Sequence, residues 1–425
     1  MRIHPPIGTA RVYGKVDFLL PGEDDPIRQE VRTWIEEHPE PSAHDLAYAG
    51  FVVPHWPRPW GIEAGPLTQL IIDDELRKAG IRRPFNPIGT GWLGPTIIKY
   101  GTEEQRDRYL FPMLSGEEIW CQLFSEPGAG SDLVAVATRA ERDGEYYVVS
   151  GSKIWTTFAH MSKFGVLLAR TDDPGDSREL SASGASSLPG ASPPGATSRH
   201  AGLSYFICPM DAHGVTIRTI RDMTGHTSFN EVFFDEVRIP QDNLVGKVGD
   251  GWEVAKATLG NERVSLSSEG LMWGAGPTVM DIIDLVSGSG NALDMQLRHR
   301  LAEAYVGEQI LRLTRLRIIG KAVAGQEKGP EVSIIKALSD AHGKSVMNLA
   351  VDIAGTAGML REGDPLCRLV GWEQGHGRTW GKKRTLGASD WMSGFLFSPA
   401  LTIGGGTAEI QRNIIAENAL GLPRD

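Results

Sequence analysis

Residues 138–157 read TRAERDGEYYVVSGSKIWTT. Asp143 and Gly144 lie between two β-prone runs, which is a strong hairpin signal because an Asp-Gly pair readily adopts the backbone angles of a two-residue turn. Four further runs rich in β-branched and aromatic residues follow: KFGVLLART, LSYFICPM, GVTIRTIRDM and NEVFFDEVRIP. We therefore predict an antiparallel β-barrel or sandwich domain over residues 119–242.

The segments on either side of this domain have helical patterns. Pro26 follows two acids in DDPIRQEVRTWIEEH, as at many helix starts, and Thr102 with Gln105 has the spacing of a capping box. From residue 251 onward apolar residues return every three or four positions, until Gly421 and Pro423 end the last helix. Two of the apolar faces consist of Leu297, Leu301, Ala304 and Leu311, and of Ile335, Leu338, Val346, Leu349 and Ile353. The sequence thus predicts an α+β protein with an α-helical domain over residues 1–118 and a four-helix bundle over residues 243–425.

One interruption lies inside the β domain. Residues 172–200 are rich in Pro, Gly, Ala and Ser, a composition that buries too little apolar surface to offset its ordering entropy. We predict a flexible loop between two strands, because β-type sequence resumes directly after it. A linker between domains is the weaker alternative.

The overall composition argues against several classes of function. The 425 residues carry a net charge of −10, unlike the clustered basic surface of a nucleic-acid-binding protein. No apolar run approaches the roughly 18 residues of a membrane span, and the first residues lack the apolar core of a signal peptide. The three cysteines are far apart and lack metal-ligand spacing, which favours reduced thiols. We expect a cytoplasmic protein without a membrane span.

A match to the dinucleotide-binding fingerprint carries little weight. GTGWLG has Gly89, Gly91 and Gly94 at the right spacing, but that motif needs a preceding strand and a following helix. Here RRPFNPI precedes it, Pro95 follows it, and no βαβ pattern surrounds it. We do not expect a Rossmann-type site.

Residues 125–132, SEPGAGSD, place small turn-forming residues between Glu126 and Asp132. Such a stretch is either a surface turn or a place where main chain approaches a ligand closely. Together with CQLF before it, KIWTT downstream and GGGTAEIQRN near the end, it resembles the acyl-CoA dehydrogenase family. The segments RDMTGHTSFNEVFFDEVRIP and IIAENALGLPRD extend the resemblance over nearly the whole chain. It implies the same helix–strand–helix order, an FAD cofactor and an oxidoreductase that acts on acyl-CoA thioesters.

The resemblance implies flavin contacts in two neighbouring segments. The backbone from Gln122 to Ser125 would hydrogen-bond the polar edge of the isoalloxazine, and the small residues that follow would admit the cofactor and the CoA arm. The hydroxyls of Ser125 and Thr157 match positions that reach the N5–O4 edge, and Trp155 would pack against the ring. Without the surrounding motifs, Trp155 reads as a core aromatic of the sheet and Thr157 as an ordinary strand residue. The full implied cofactor set is Gln122, Phe124, Ser125, Gly130, Ser131, Trp155, Thr157, Arg298, Gly355, Gly358, Thr407 and Glu409.

Two elements that hold the adenosine end of FAD in the family are altered here. The family motif Q-x-x-G-G-x-G reads DIAGTAG, which keeps Gly355 and Gly358 but has Asp352 in place of Gln. An Arg-x-x-Phe-Gly segment, which reaches the FAD of a neighbouring subunit, has no clear counterpart, and Arg298 and Arg300 are the possible substitutes. These departures weaken the case for a symmetric homotetramer with one FAD per chain, and they are compatible with a paired, non-identical subunit that completes the site.

The catalytic base also departs from the commonest family pattern. Many members carry a Glu in a C-terminal E-G-T stretch, where this chain has Gly405. A minority carries the base on the first long helix of the C-terminal domain, directly before an Arg, and ATLGNERVSL offers Glu262 followed by Arg263 there. The resemblance therefore implies Glu262 as the base, against the common alternative of an exposed Glu–Arg pair on a helix surface. Implied substrate contacts are Ser131, Arg263 and the N–H of Gly405, while Thr407 and Glu409 would meet the FAD pyrophosphate and ribose.

The implied reaction is the α,β-dehydrogenation of an acyl-CoA to the trans-2-enoyl-CoA. Glu262 would remove the α-proton while a hydride passes to flavin N5, and the electrons would go on to an electron-transfer flavoprotein. The enzyme would be a homo-oligomer (dimer or tetramer) or a hetero-oligomer with a related subunit. Two alternatives stay open: a non-catalytic or half-site subunit of a hetero-oligomeric dehydrogenase, and a same-fold acyl-CoA oxidase or flavin monooxygenase. Short, branched, long and steroid-like acyl groups are all compatible with the sequence.

Overall fold

The computed structural model describes residues 22–171, 200–267, 279–289, 293–323, 331–359 and 391–423, together with Gly329. Residues 172–199, which include almost all of the predicted loop, lie outside these ranges, as does Cys367. The described residues form two compact units. One contains the described residues up to Pro84 and residues 316–323, and the other contains the rest.

Within the described ranges, five helices are followed by seven strands and then six helices. The helices are α1 (Pro26–Glu37), α2 (Ala43–Tyr48), α3 (Pro66–Lys78), α4 (Gly94–Tyr100), α5 (Glu103–Ser115), α6 (Gly251–Ser267), α7 (Val279–Ser289), α8 (Met295–Val323), α9 (Glu331–Ala354), α10 (Trp391–Leu401) and α11 (Ala408–Asn418). The strands are β1 (Trp120–Leu123), β2 (Arg139–Asp143), β3 (Tyr146–Thr157), β4 (Phe164–Arg170), β5 (Leu203–Pro209), β6 (Val215–Ile220) and β7 (Phe229–Pro240). The predicted helix–strand–helix order is confirmed, and none of these helices has both the length and the apolarity needed to cross a membrane.

The first unit is held together by a buried ionic cluster as well as by apolar packing. Asp25 caps α1 by accepting a hydrogen bond from the N–H of Ile27, as the acid-rich helix start predicts. The buried guanidinium of Arg28 on α1 pairs with Asp74, at 2.8 Å, and with Glu75, both on α3. This pairing fixes α1 against α3, since buried charges are tolerated only when they are paired.

The seven strands form one sheet in the second unit. β2 and β3 form the predicted hairpin, with Asp143 opposite Tyr146 and with a φ of 61° at Gly144. The strand order is β1-β4-β2-β3-β7-β6, and β5, which is outside this order, pairs antiparallel with β4. The sheet is mixed rather than wholly antiparallel, because the β2–β3 hairpin returns the chain so that β4 runs parallel to β1.

The core of the sheet includes two of the three cysteines. Cys121 on β1 and Cys208 on β5 are free and fully buried. Burial raises the pKa of both thiols, to about 12 for Cys121. They are therefore inert core residues at neutral pH, in line with the predicted reduced thiols.

The C-terminal helices pack mainly around α9, which contacts α6, α10 and α11. An apolar cluster joins α7, α8 and α9 through residues such as Ile282, Ala304 and Leu349. Leu338, which helical spacing places on the apolar face of α9, is 44% exposed.

The GTGWLG stretch forms a helical turn and not a nucleotide-binding loop. Residues Gly89–Leu93 are a π-helical turn that leads directly into α4, and the described residues before them contain no strand. In the described residues this stretch therefore lacks the strand that a dinucleotide fingerprint requires before it.

Candidate active site

The SEPGAGSD stretch forms a tight turn directly after β1. Glu126 and Ala129 exchange both of their backbone hydrogen bonds, at 2.8 and 3.0 Å, and so close the turn over Pro127 and Gly128. A Cβ atom placed on Gly128 or Gly130 would have no heavy atom within 4 Å. The backbone therefore faces open space on the side of these glycines, where a ligand could lie against main chain.

A buried ion pair holds this turn against the sheet. The ammonium group of Lys153, whose side chain is fully buried on β3, donates to Glu126 Oε1 at 2.7 Å and to the carbonyls of Leu168 and Phe124 at 2.8 and 3.0 Å. All three of its protons are thus used. The carboxylate of Glu126 accepts in turn from the N–H groups of Ala137 and Thr138. We call this set the Lys153–Glu126 clamp.

The clamp keeps both of its side chains charged at neutral pH. Burial lowers the pKa of Lys153 to about 8, and the charge of Glu126 opposes this shift. Burial would raise the pKa of Glu126, but the charge and hydrogen bond of Lys153 outweigh it and lower the value. The Lys153–Glu126 pair was not predicted from the sequence. The available signal was a lysine inside a β-type run, at a position whose alternation with Tyr147 and Val149 points it into the core.

The end of β3 has an unusual backbone at Trp155. The N–H of Ile154 donates to the carbonyl of Ser125 at 2.9 Å, so this part of β3 lies beside the turn. A bulge then occurs between Lys153 and Thr156, and Trp155 has a φ of 61°, which is strained for a residue other than glycine. Its indole is 58% exposed and touches the edge of Phe229. Trp155 is therefore not a core aromatic of the sheet.

The two threonines after Trp155 differ in environment. Thr156 is buried, and its hydroxyl has no hydrogen-bond partner among the described residues. Thr157, which the resemblance places at the flavin, is half-buried and pairs with Phe229 on β7. The hydroxyl of Thr156, which lacks a partner, is thus directly next in sequence to Thr157, the residue predicted to contact the flavin.

Glu262 lies within hydrogen-bonding reach of the segment that leads into the turn. It is on α6 and is only 7% exposed, so it is not part of an exposed Glu–Arg pair. Its Oε2 lies 3.4 Å from Nε2 of Gln122 on β1. The side chain of Arg263 lies outside the described part of the chain. The structure therefore brings together Glu262 and the start of the predicted flavin-binding segment.

A buried hydroxyl network fixes α6 one turn before Glu262. Oγ1 of Thr258 lies 2.9 Å from the hydroxyl of Tyr205 on β5 and 2.9 Å from Oγ1 of Thr96 on α4. Asn261 donates to the carbonyl of Trp92 at 3.1 Å. These contacts fix the helix against both the sheet and the helical segment before it, so the backbone that carries Glu262 has little freedom.

The glycine stretch near the C-terminus forms the approach to α11. Gly405 and Gly406 have φ angles of 69° and 90°, and the amide of the buried Gln411 donates to the carbonyl of Gly405 at 2.9 Å. Thr407 caps α11 by accepting from the N–H of Ile410, and Glu409 is exposed in the first turn. Backbone N–H groups at such a helix start can hold a phosphate.

The altered adenosine-end motifs contact each other. Arg300 on α8 pairs with Asp352 on α9 at 2.7 Å, and both side chains are about half exposed. Arg298 is exposed on the same helix and does not form this pair. Gly355 follows α9 with a φ of 58° and open space beside it, whereas Gly358 is packed against the end of that helix.

The predicted site residues fall into two groups. Direct contacts join Gln122 to Glu262, Phe124 to Lys153, and Ser125 to the residue before Trp155. Ser131 is exposed at the far end of the turn. A second group of predicted residues lies on or beside the C-terminal helices, and in the described part of the chain no hydrogen bond or ion pair joins it to the turn: Arg298, Gly355, Gly358, Gly405, Thr407 and Glu409.

Three models of one family match successive parts of the chain. They describe the N-terminal, middle and C-terminal domains of acyl-CoA dehydrogenases, and they match residues 22–117, 121–237 and 249–420. The acyl-CoA dehydrogenase IpdE1 of Mycobacterium tuberculosis is 35% identical over 409 residues, which cover 95% of this chain and 91% of IpdE1. The chain therefore belongs to the acyl-CoA dehydrogenase family, whose members are FAD-dependent oxidoreductases.

Further similar proteins include a longer curated relative and two solved structures. The acyl-CoA dehydrogenase FadE34 of Mycobacterium tuberculosis is also 35% identical, over 379 residues, but the chain spans only 46% of its length. Two solved structures share 26% identity with this chain, each covering 94% of it and 97% of the other chain. They are the Tcur3481-Tcur3483 steroid ACAD, with a TM-score of 0.69, and the ChsE4-ChsE5 complex from Mycobacterium tuberculosis, with a TM-score of 0.68.

Several features of the site fit an FAD molecule. The exposed Trp155 offers a flat surface, Gly128 and Gly130 leave room against main chain, and the unpaired hydroxyl of Thr156 could bind a polar group. The glycine-rich start of α11 suits a pyrophosphate. The tricyclic ring of FAD requires an aromatic face and open backbone beside it, and its anionic pyrophosphate requires donors such as those of a helix N-terminus.

Proposed function

We propose that the protein is an FAD-dependent acyl-CoA dehydrogenase that forms a trans-2-enoyl-CoA, with Glu262 as its base and an electron-transfer flavoprotein as its electron acceptor. The observation that carries the proposal is the buried carboxylate of Glu262 against Gln122, at the entry to the turn. Gly405, at the position of the usual family base, has no side chain to perform this task.

The chemistry requires a base in a site that excludes water. The α-proton of a thioester is a weak acid, so the base must be close to the α-carbon and donors must stabilise the thioester oxygen as it gains negative charge. Glu262 would take this proton, and the N–H groups near Gly405 and the open glycines of the turn would orient the thioester. FAD, when bound, supplies the acceptor for the β-hydrogen, which leaves as a hydride. The Lys153–Glu126 clamp holds the turn in place throughout.

We further propose that the substrate carries a bulky acyl group, such as a steroid-type ring system. Within the family, a base on the C-terminal helix accompanies branched, long or polycyclic acyl groups, and one similar solved structure is a steroid ACAD. A panel of CoA thioesters tests this proposal by bleaching of the flavin absorbance under anaerobic conditions. Bulky thioesters should bleach it faster than butyryl-CoA, and the opposite order would contradict the proposal.

The assignment of the base is tested with Glu262→Gln. The variant keeps the size of the side chain but cannot accept a proton, so it should retain its yellow FAD and lose at least about a thousandfold in kcat, within the range that general-base catalysis supplies. Glu253→Gln, which alters an exposed carboxylate on the same helix α6, serves as the control. Turnover by Glu262→Gln at a rate near that of the parent would place the base elsewhere.

A half-site subunit is the second candidate function. The pairing of Arg300 with Asp352 occupies both altered positions of the adenosine-end motif, and two similar solved structures bear paired names, Tcur3481-Tcur3483 and ChsE4-ChsE5. Protein produced alone distinguishes the candidates. A self-sufficient enzyme is yellow when purified, whereas a half-site subunit is colourless and acquires FAD only with a second chain.

A further inference from the structure

We propose that Gln122 is a positioning residue for the carboxylate of Glu262, an inference that rests on the proposed role of Glu262 as the base. Nε2 of Gln122 lies 3.4 Å from Oε2 of Glu262. A carboxylate only accepts hydrogen bonds, and the reverse orientation of the amide would place two oxygens against each other. The N–H side of Gln122 therefore faces Glu262 and restrains one of its two oxygens.

The alternation of β1 directs this amide toward α6. Cys121 and Leu123, the neighbours of Gln122, are fully buried in the core of the sheet. Because successive side chains of a strand point to opposite faces, Gln122 points away from that core. Glu262 is on that side, on a helix fixed to the sheet by Thr258 and Tyr205.

The side chain of Gln122 has no other function in holding the described fold together. Among the described residues Glu262 is the only hydrogen-bond partner of its amide nitrogen, and its Oε1 is buried without one. Gln105 is a useful contrast, since its amide donates to the carbonyls of Asp242 and Leu244 at 2.7 and 2.9 Å and its Oε1 accepts from the N–H of Thr102. Gln105 stabilises the fold, whereas the hydrogen bond of the Gln122 side chain goes to Glu262.

The torsions of the Glu262 side chain are separate from those of the helix backbone. The network around Thr258 fixes the backbone. The three side-chain torsions of a glutamate allow several staggered arrangements, and one donor at a fixed position selects among them. Gln122 is such a donor, which makes it a determinant of how often the base faces the α-carbon.

The experiment isolates proton removal from hydride transfer. The probe is an acyl-CoA in which sulfur replaces the β-carbon, so that the α-proton can exchange with solvent but no β-hydrogen can leave. The FAD-loaded enzyme is incubated with the probe in D2O, and deuterium at the α-carbon is followed by mass spectrometry. Gln122→Met keeps the size of the side chain and removes the donor, and Gln122→Glu places a second carboxylate against the base. Gln105→Met is the matched control.

We expect exchange of the α-proton to slow in both Gln122 variants, and to slow more in one than in the other. Gln122→Met should exchange about tenfold to a hundredfold more slowly than the parent, as for the loss of a hydrogen bond to a charged group, and Gln122→Glu more slowly still. KM for a true substrate should change far less than kcat, because the thioester is held by other groups. Gln105→Met should lower the melting temperature while its exchange rate stays near that of the parent.

The outcomes separate this inference from the proposed function. Exchange at the parent rate in Gln122→Met overturns the role of Gln122, and if that variant does not fold, parent-level exchange in Gln122→Glu does the same. Parent-level exchange in Glu262→Gln overturns the proposed base instead. Loss of exchange in Glu262→Gln together with unchanged exchange in the Gln122 variants leaves the base in place and removes only its positioning residue.

Discussion

Trp155 combines an exposed indole with a strained backbone, which is unusual for a tryptophan in a strand. A φ of 61° costs such a residue about 1–3 kcal/mol, and residues in this state concentrate at ligand-binding sites. Trp120 on β1 is the opposite case, because it is fully buried in the sheet. Trp155 on β3 thus has a strained backbone although its side chain is not part of the buried core.

Trp155→Gly should separate cofactor binding from stability. The free energy of unfolding of the apo-protein should change by less than about 1 kcal/mol, since relief of the strain offsets the greater freedom of glycine in the unfolded chain. FAD should bind about fivefold to tenfold more weakly, as for the loss of an aromatic contact. Urea unfolding and FAD titration measure the two effects. Trp120→Ala is the control and should lower the free energy of unfolding by about 3–5 kcal/mol. A similar loss of stability in Trp155→Gly would contradict the proposal that Trp155 serves FAD binding and not the core.

For single residues, the sequence indicated Glu262 as the candidate base but did not indicate its surroundings. Glu262 could be predicted because the resemblance left Gly405 without a side chain and offered one alternative helix position. The side chain of Gln122 was not foreseen, since the resemblance assigned only its backbone. The contact of Gln122 with Glu262 joins residues 140 positions apart, which no local pattern encodes.

Among the elements, the Lys153–Glu126 clamp joins the turn, β3 and β4 at one buried point. Lys153→Met should lower the free energy of unfolding by about 3–5 kcal/mol, because it leaves the carboxylate of Glu126 largely buried without its countercharge. Lys153→Met combined with Glu126→Gln should recover part of this loss. Urea unfolding measures both variants, and Lys163→Met, which removes an exposed pair with Asp211, should change stability by less than about 1 kcal/mol. A similarly small change in Lys153→Met would mean that the clamp does not hold the turn.

Local sequence signals predicted the helices and strands better than they predicted which strands pair in the sheet. The Asp143-Gly144 hairpin and the Thr102–Gln105 capping box both appear where the sequence indicated them. The parallel pairing of β1 with β4 was not predicted, because strand partners distant in sequence depend on the path of the whole chain. Leu338 shows the same limit for helices, since spacing gives the face of a residue but not what covers it.

At the scale of the whole molecule, the buried cluster around Asp74 determines how the first unit responds to acid. Burial would raise the pKa of Asp74, but hydrogen bonds from Arg28, Lys78 and Arg77 outweigh it and lower the pKa from 3.8 to about 2. A lowered carboxyl pKa stabilises the folded state fully above the ordinary value, and this contribution is lost as the pH falls toward the folded value.

Stability should therefore fall between about pH 4 and pH 2, and Asp74→Asn should flatten this dependence while it lowers stability at pH 7. Thermal unfolding at a series of pH values measures both effects. Asp73→Asn, next to it on the same helix, is the control because its pair with Arg83 is partly exposed. An equal acid sensitivity of the parent and Asp74→Asn would show that other groups dominate.

The role of Glu262 as the base is tested most directly by the α-proton itself. Glu262→Gln, loaded with FAD and incubated in D2O with the β-sulfur acyl-CoA, should leave the α-carbon without deuterium beyond the rate in buffer, while the parent exchanges it fully. Exchange by Glu262→Gln at the parent rate would contradict the account, because the proton would then leave without this carboxylate.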